Sequence, residues 1–128
     1  MDLGAYRYTK THEWATLSGN SCTVGISKFA AEQLQDITYL KLPAVGAKVT
    51  ADAAFGEIET VKAVNDLYSP VSGDVTEVNS AVEKDPESLK ANPLGTGWLI
   101  KVRLAPGGDL KHLLTSAQYE QQIASEPH

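Results

Sequence analysis

The chain has 128 residues, enough for one domain that buries roughly two thirds of the surface its unfolded form exposes, so it needs no disulfide or metal staple to fold. Hydrophobic residues make up 42% and charged residues 21%, inside the ordinary globular range and far from a disordered or membrane-embedded composition. The 11 basic and 16 acidic side chains give a formal charge of −5, which repels a polyanion and argues against nucleic acid as a partner.

Cys22 is the only cysteine, which excludes an internal disulfide, a thiolate metal cluster and a CxxC redox pair, and suits a reducing compartment. Its β-like neighbours make it a small buried apolar residue. Met1-Asp2-Leu3-Gly4 lacks a basic segment followed by an apolar core, and no run of about 18 apolar residues occurs. The expectation is a soluble cytoplasmic protein with no membrane partner. A mature mitochondrial-matrix form stripped of a transit peptide reads the same.

Short β-rich runs separated by Gly and Pro fill residues 6–104, and no long polar linker divides them. A single domain over 1–128, with its core over about 6–124, is the economical reading. In chain order the pattern predicts strands over 6–9, 14–17 and 22–26, then a short helix capped by Ser27 and running to about Leu34, with Phe29, Ala30 and Leu34 turned inward. Strands over 37–42, 54–61, 67–69 and 73–78 follow. Asp85-Pro86-Glu87 reads as cap, first position and first-turn acid of a helix that Asn92-Pro93 must stop early. The strand over 98–104 is the clearest, because Trp98, Ile100, Val102 and Leu104 share one face and Lys101 and Arg103 the other. Thr115 and Gln118 have capping-box spacing ahead of a C-terminal helix that carries Tyr119 and Ile123, and the tail from Ser125 to His128 is expected to fray. Pro43-Ala44-Val45-Gly46 and Pro70-Val71-Ser72-Gly73 are similar turns 27 positions apart, each after a β-like run. Two such units facing one another make a flattened barrel or sandwich with quasi-twofold symmetry.

Chemistry concentrates in residues 55–70, which read as strand, tight turn and strand with the reversal at Val61-Lys62-Ala63. A lysine at a hairpin tip projects its stem into water clear of both strands, so a modifying enzyme can reach its amine. Solvated turn lysines are common, and this feature alone does not assign a function. Glu59-Thr60-Val61-Lys62-Ala63, then Asp66, Ser69-Pro70-Val71-Ser72-Gly73 and Val75, closely resembles the lipoyl-lysine motif of glycine cleavage H proteins. That motif places a glutamate three residues before the lysine and a glycine eleven after it, the positions of Glu59 and Gly73. Biotin carriers usually have Met on both sides of the lysine, whereas Val61 and Ala63 stand here.

The resemblance spans roughly residues 6–124. It includes Tyr8-Thr9-Lys10-Thr11-His12-Glu13-Trp14, Val24-Gly25-Ile26, Gln33-Leu34, Leu42-Pro43, Gly46, Val78-Asn79 and Asn92-Pro93-Leu94-Gly95-Thr96-Gly97-Trp98. The His-Glu-Trp and Gly-Trp segments favour an H protein over a lipoyl domain of a 2-oxoacid dehydrogenase. Gln35 replaces the family's usual glycine, and Leu94 a common aromatic.

The resemblance implies a mainly β barrel-sandwich hybrid of two small sheets with short peripheral helices. It implies a monomeric, non-catalytic carrier bearing lipoic acid as N6-lipoyllysine on Lys62, attached by a lipoate ligase or lipoyl transferase. Its partners would be glycine decarboxylase (P protein), which loads an aminomethyl group, aminomethyltransferase (T protein), which passes the carbon unit to tetrahydrofolate, and dihydrolipoamide dehydrogenase (L protein), which reoxidises the dithiol. Glu59 and Gly73 are expected to act in recognition by the lipoylating enzyme, and Gly73 also to supply a turn conformation that Ala resists. A loaded arm carries a basic amine that a carrier gains from sheltering, and carboxylates are its natural partners. Glu13 and Asp66 are therefore expected to line a groove into which the arm folds back.

Two other readings use the same residues: an H-like lipoyl-relay or stress-linked carrier that donates lipoate to other proteins, and an unmodified β-rich binding module. The remaining residues give catalysis and metal binding little support. His12, His112 and His128 are far apart in sequence, the glycines match neither nucleotide fingerprint, and Trp14 and Trp98 read as core anchors.

Overall fold

The computed structural model describes residues 6–34, 36–104, 108 and 110–125. Gln35, His128 and most of the expected frayed tail lie outside the described residues. Among the described residues, nine strands form two antiparallel sheets. The larger has the order β1 (Arg7–Tyr8), β2 (Glu13–Ser18), β3 (Ser21–Ile26), β9 (Ile100–Leu104), β8 (Gly73–Val78) and β5 (Lys48–Val49). In the smaller, β6 (Ala54–Thr60) lies between β4 (Ile37–Lys41) and β7 (Val64–Tyr68). Helices α1 (Lys28–Gln33), α2 (Ser80–Lys84) and α3 (Ser116–Ser125), with a 3-10 helix at Pro86–Lys90, lie at the periphery. This is the mainly β barrel-sandwich hybrid. None of the helices is long and apolar enough to cross a membrane, among the described residues.

The Pro-x-x-Gly echo is a real device. β4 leads from the small sheet through Pro43–Gly46 to β5 in the large one, and β7 leads through Pro70–Gly73 to β8, 27 positions on, in the same way. β5 and β8 then pair with each other, joining the two units. The two glycines serve different needs: Gly46 has φ +93°, which only glycine adopts at little cost, whereas Gly73 does not have a left-handed φ.

Alternation decides the core. In β9, Ile100, Val102 and Leu104 are buried while Arg103 is exposed, as the pattern predicts, although Trp98 lies before the strand and is half-buried. Leu40 and Ile58, opposite each other, face the core with Val24, Val75, Leu89 and Leu99. Burial of each such aliphatic side chain contributes about 1.5–3 kcal/mol. Cys22 is fully buried there, and desolvation pushes its thiol up to about 12, so it packs as an inert apolar residue. A second cluster joins Tyr8, Trp14 and Tyr119. The Trp14 ring lies over its cross-strand partner Gly25, and its indole N–H donates to the Pro93 carbonyl at 2.9 Å. Asn79 donates from Nδ2 to the carbonyls of Thr96 and Trp98. These bonds tie the His-Glu-Trp, Val-Asn and Gly-Trp segments into one structural unit.

Local signals succeeded at α3, where Gln118 N–H donates to Thr115 Oγ1 and Thr115 N–H to Gln118 Oε1. Ser27 caps α1 by accepting from the Ala30 amide, but the fully buried residue of that helix is Ala31, while Phe29, Ala30 and Leu34 are half-buried. Asp85 does not cap as expected. It closes α2 through its backbone N–H to the Ala81 carbonyl, which leaves it outside the geometry its side chain needs, and the following turn is a 3-10 helix. β7 begins at Val64 rather than 67, because pairing with β6 overrides the poor strand propensity of Asn65 and Asp66.

Candidate functional site

The β6–β7 hairpin carries Lys62 at its exposed tip. Thr60 closes the loop by donating its N–H to the Ala63 carbonyl at 2.9 Å, and its hydroxyl accepts from the amides of Lys62 and Ala63, each at 3.2 Å. A threonine two residues before the turn's centre is a known turn signal, so the closing role of Thr60 is legible in the sequence. From the neighbouring loop, the Asp36 carbonyl accepts from the Val61 amide. The tip therefore has a defined backbone beneath a free side chain. Val61 and Val64 flank it and are 61% and 58% exposed, and Tyr39, Glu59 and Val64 form a row across the small sheet. Among the described residues no ion pair engages the Lys62 amine.

Down the same hairpin lies a groove of about 340 Å³. Thr11, His12 and Glu13 form one wall, Ile26, Phe29, Ala30 and Leu34 another, and Ile58 with Asn65, Asp66, Leu67 and Tyr68 the third. Glu13 and Asp66, some fifty residues apart in sequence, thus border one cavity. They differ in character. Glu13 is 2% exposed, so it is no surface acid. Its Oε1 accepts from the hydroxyls of Thr9, at 2.7 Å, and Thr11, and its Oε2 accepts from the Tyr68 amide at 3.3 Å. Burial raises its carboxyl above the ordinary glutamate value, and these donors oppose the rise without cancelling it. Asp66 and Asn65 are both exposed at the rim, Asp66 opposite Glu57 and Asn65 opposite the buried Ile58, whose face it shares. Asn65 was not singled out in the sequence, since only the register shows which side of β7 faces inward.

The raised carboxyl makes a pH prediction. The folded state holds the Glu13 proton more tightly than the unfolded state, so this group penalises stability once ionised, and the penalty is relieved as pH falls from its raised value towards 4.5. Over that window the parent should gain stability relative to Glu13→Gln, measured as the difference between their urea midpoints at successive pH values. A constant difference would show that the hydrogen bonds to Glu13 cancel the effect of its burial.

Glu59 and Gly73 are not brought together. Glu59 lies one strand row from the tip, between Tyr39 and Val64, while Gly73 begins β8 in the other sheet. A Cβ on Gly73 would sit 2.2 Å from the Arg103 carbonyl oxygen and 2.8 Å from Val102 Cγ1. The expected turn torsion at Gly73 is thus corrected: the glycine is required by the close approach of β9. His12 is held by its Nδ1, 2.6 Å from the Tyr119 hydroxyl, and His112 Nε2 donates to the Pro70 carbonyl at 2.7 Å.

A barrel-sandwich hybrid with an exposed lysine at a hairpin tip defines the lipoyl- and biotinyl-type domains. Residues 6–126 match the family model described as glycine cleavage H-protein. The glycine cleavage system H protein of Rubrobacter xylanophilus is 50% identical over 119 residues, 93% of this chain and 92% of that one, and that of Thermobifida fusca is 50% identical with 93% of each covered. The crystal structure of a glycine cleavage system H protein from Mycobacterium marinum superposes with a TM-score of 0.85 at 37% identity, covering 94% of this chain and 98% of that one. The chain belongs to the glycine cleavage H-protein family.

Proposed function

We propose that this chain is the lipoylated carrier of a glycine cleavage system, moving the aminomethyl group of glycine from the decarboxylase to the aminomethyltransferase, with Lys62 as the point of attachment. The observation that carries this reading is the lysine at a hairpin tip whose two strands lead directly into a groove. The groove begins about 10 Å along β7 from the tip, at roughly 3.3 Å per residue, further than a lysine stem reaches and within range once it is acylated. Its lining suits such an arm, with Phe29, Ala30 and Leu34 for an apolar chain and Glu13 for a basic group at its end.

The lipoyl group, when attached, supplies the reversible dithiol chemistry. The chain itself binds, orients and shields, as one non-catalytic domain working in the cytoplasm. Thr60 sets the pose of the tip. Glu13 still has acceptor capacity beyond its three donors, and an ammonium placed beside it regains the charge stabilisation that burial removed. Asp66 closes the rim. The decarboxylase, the aminomethyltransferase and dihydrolipoamide dehydrogenase meet the arm in turn, and tethering gives each a high local concentration of it.

Ammonia release from the isolated loaded carrier tests the reading. Glu13→Gln and Asp66→Ala should each shorten the lifetime of the loaded form, Glu13→Gln the more. Parental lifetimes in both variants would remove the two acids from the site.

Glu59 is the residue proposed for recognition by the lipoate ligase or lipoyl transferase, and Gly73 supports that recognition indirectly, by letting β8, which follows the hairpin's second strand, pack close against β9. Glu59→Ala should slow lipoylation while changing stability by no more than about 0.5 kcal/mol, the range for a surface substitution. Unchanged lipoylation kinetics, followed by intact mass, would take Glu59 out of recognition.

A further inference from the structure

His12 occupies a left-handed conformation, φ 76°, which a residue with a Cβ adopts only when its surroundings hold it there. It sits between Thr11 and Glu13 in the groove wall, so its torsion sets the direction in which both neighbours point. Its backbone N–H donates to the Thr9 carbonyl and its carbonyl accepts from the Ser27 amide, and its side chain is held from the far end of the chain. The Tyr119 hydroxyl lies 2.6 Å from His12 Nδ1 and 2.6 Å from Ser27 Oγ, bridging the turn to the cap of α1. One turn further along α3, Gln122 Nε2 donates to the Lys10 carbonyl at 3.0 Å. The Tyr119 ring stacks on Tyr8 at 4.4 Å, and Tyr8 and Leu114 exchange backbone hydrogen bonds at 2.8 Å. Three successive residues of the turn, Lys10, Thr11 and His12, are thus gripped by α3 or engaged with the Glu13 carboxylate, and neither α3 hydrogen bond is needed to close the barrel.

We infer that α3 is a latch on the groove, and that Tyr119 is a positioning residue for arm sheltering: its hydroxyl holds His12 in the left-handed turn that presents Thr11 and Glu13 to the arm. This rests on the groove reading above. Loss of the latch leaves Lys62 and the hairpin tip untouched, so attachment of the lipoyl group and protection of the loaded arm separate. A partner that binds α3 and draws it away opens the groove without contacting it.

The test uses the full chain. Tyr119→Phe keeps the stacking on Tyr8 and removes only the hydroxyl. In the unmodified protein it should shift the amide resonances of Thr11, His12 and Glu13, and of Tyr68, whose N–H donates to Glu13, while leaving those of the hairpin tip from Thr60 to Val64 in place, and it should be lipoylated at the parental rate. Loaded, it should release ammonia about three- to tenfold faster than the parent, the factor one hydrogen bond is worth. His12→Asn, which tolerates a left-handed backbone and offers an acceptor near the Nδ1 position, should recover most of the lifetime that His12→Ala loses. Parental resonances and lifetime in Tyr119→Phe would overturn the latch. A parent that releases ammonia as fast as a small-molecule analogue would overturn groove sheltering instead, and the resonance shifts of the unmodified protein would still decide whether α3 positions the turn.

Discussion

A Lys62→Arg protein is expected to fold with the parental melting temperature, carry no lipoyl group, and support no glycine cleavage above background in a reconstituted system. Arginine keeps the charge and length at the tip but has no acylatable amine. The fold should be indifferent, since the turn is closed by Thr60 and Ala63 and the Lys62 side chain is exposed. Intact mass of the protein expressed with lipoate checks the first point. Lipoate recovered on the variant would show that another lysine is the attachment site, and the carrier assignment would have to move with it.

Gly73→Ala is expected to have the largest effect on stability, a loss of about 1–3 kcal/mol or more, with a melting temperature lower by several degrees. The added Cβ meets a backbone carbonyl rather than a flexible side chain, and Gly73 is paired on both sides, to Leu104 of β9 and Val49 of β5. Relief therefore requires two strands to move. Thermal denaturation of the unmodified protein measures this apart from lipoylation. A Gly73→Ala protein that melts like the parent yet is lipoylated slowly would reverse the interpretation and make Gly73 a contact residue for the modifying enzyme.

Both outcomes bear on family motifs. A motif records which residues recur, not whether each recurs for chemistry or for packing. Lys62 and Gly73 belong to one motif, yet one is free in solvent and the other is pressed against β9. Asn79 and Trp14, in segments that carry the resemblance, likewise act as struts between distant segments.

The features legible in the sequence are those set by neighbours along the chain. Alternation placed β9, the capping box placed α3, and the Pro-x-x-Gly spacing foretold two equivalent crossings between sheets. The reversal at Val61-Lys62-Ala63 was equally local, and it put Lys62 at an exposed tip. Other features depended on contacts across the fold. Burial turned Glu13 from an acid in an N-terminal segment into a desolvated groove carboxylate, because Thr9, Thr11 and the Tyr68 amide converge on it. Register, not propensity, extended β7 to Val64 and set Asn65 opposite Ile58. The approach of the Arg103 carbonyl explains Gly73, and the side-chain partner of the left-handed His12 is Tyr119, 107 positions away. Period, caps and turns are written in neighbouring residues, whereas desolvation, close approach and side-chain bridging exist only once strands and helices distant in sequence have been brought within a few ångströms of one another.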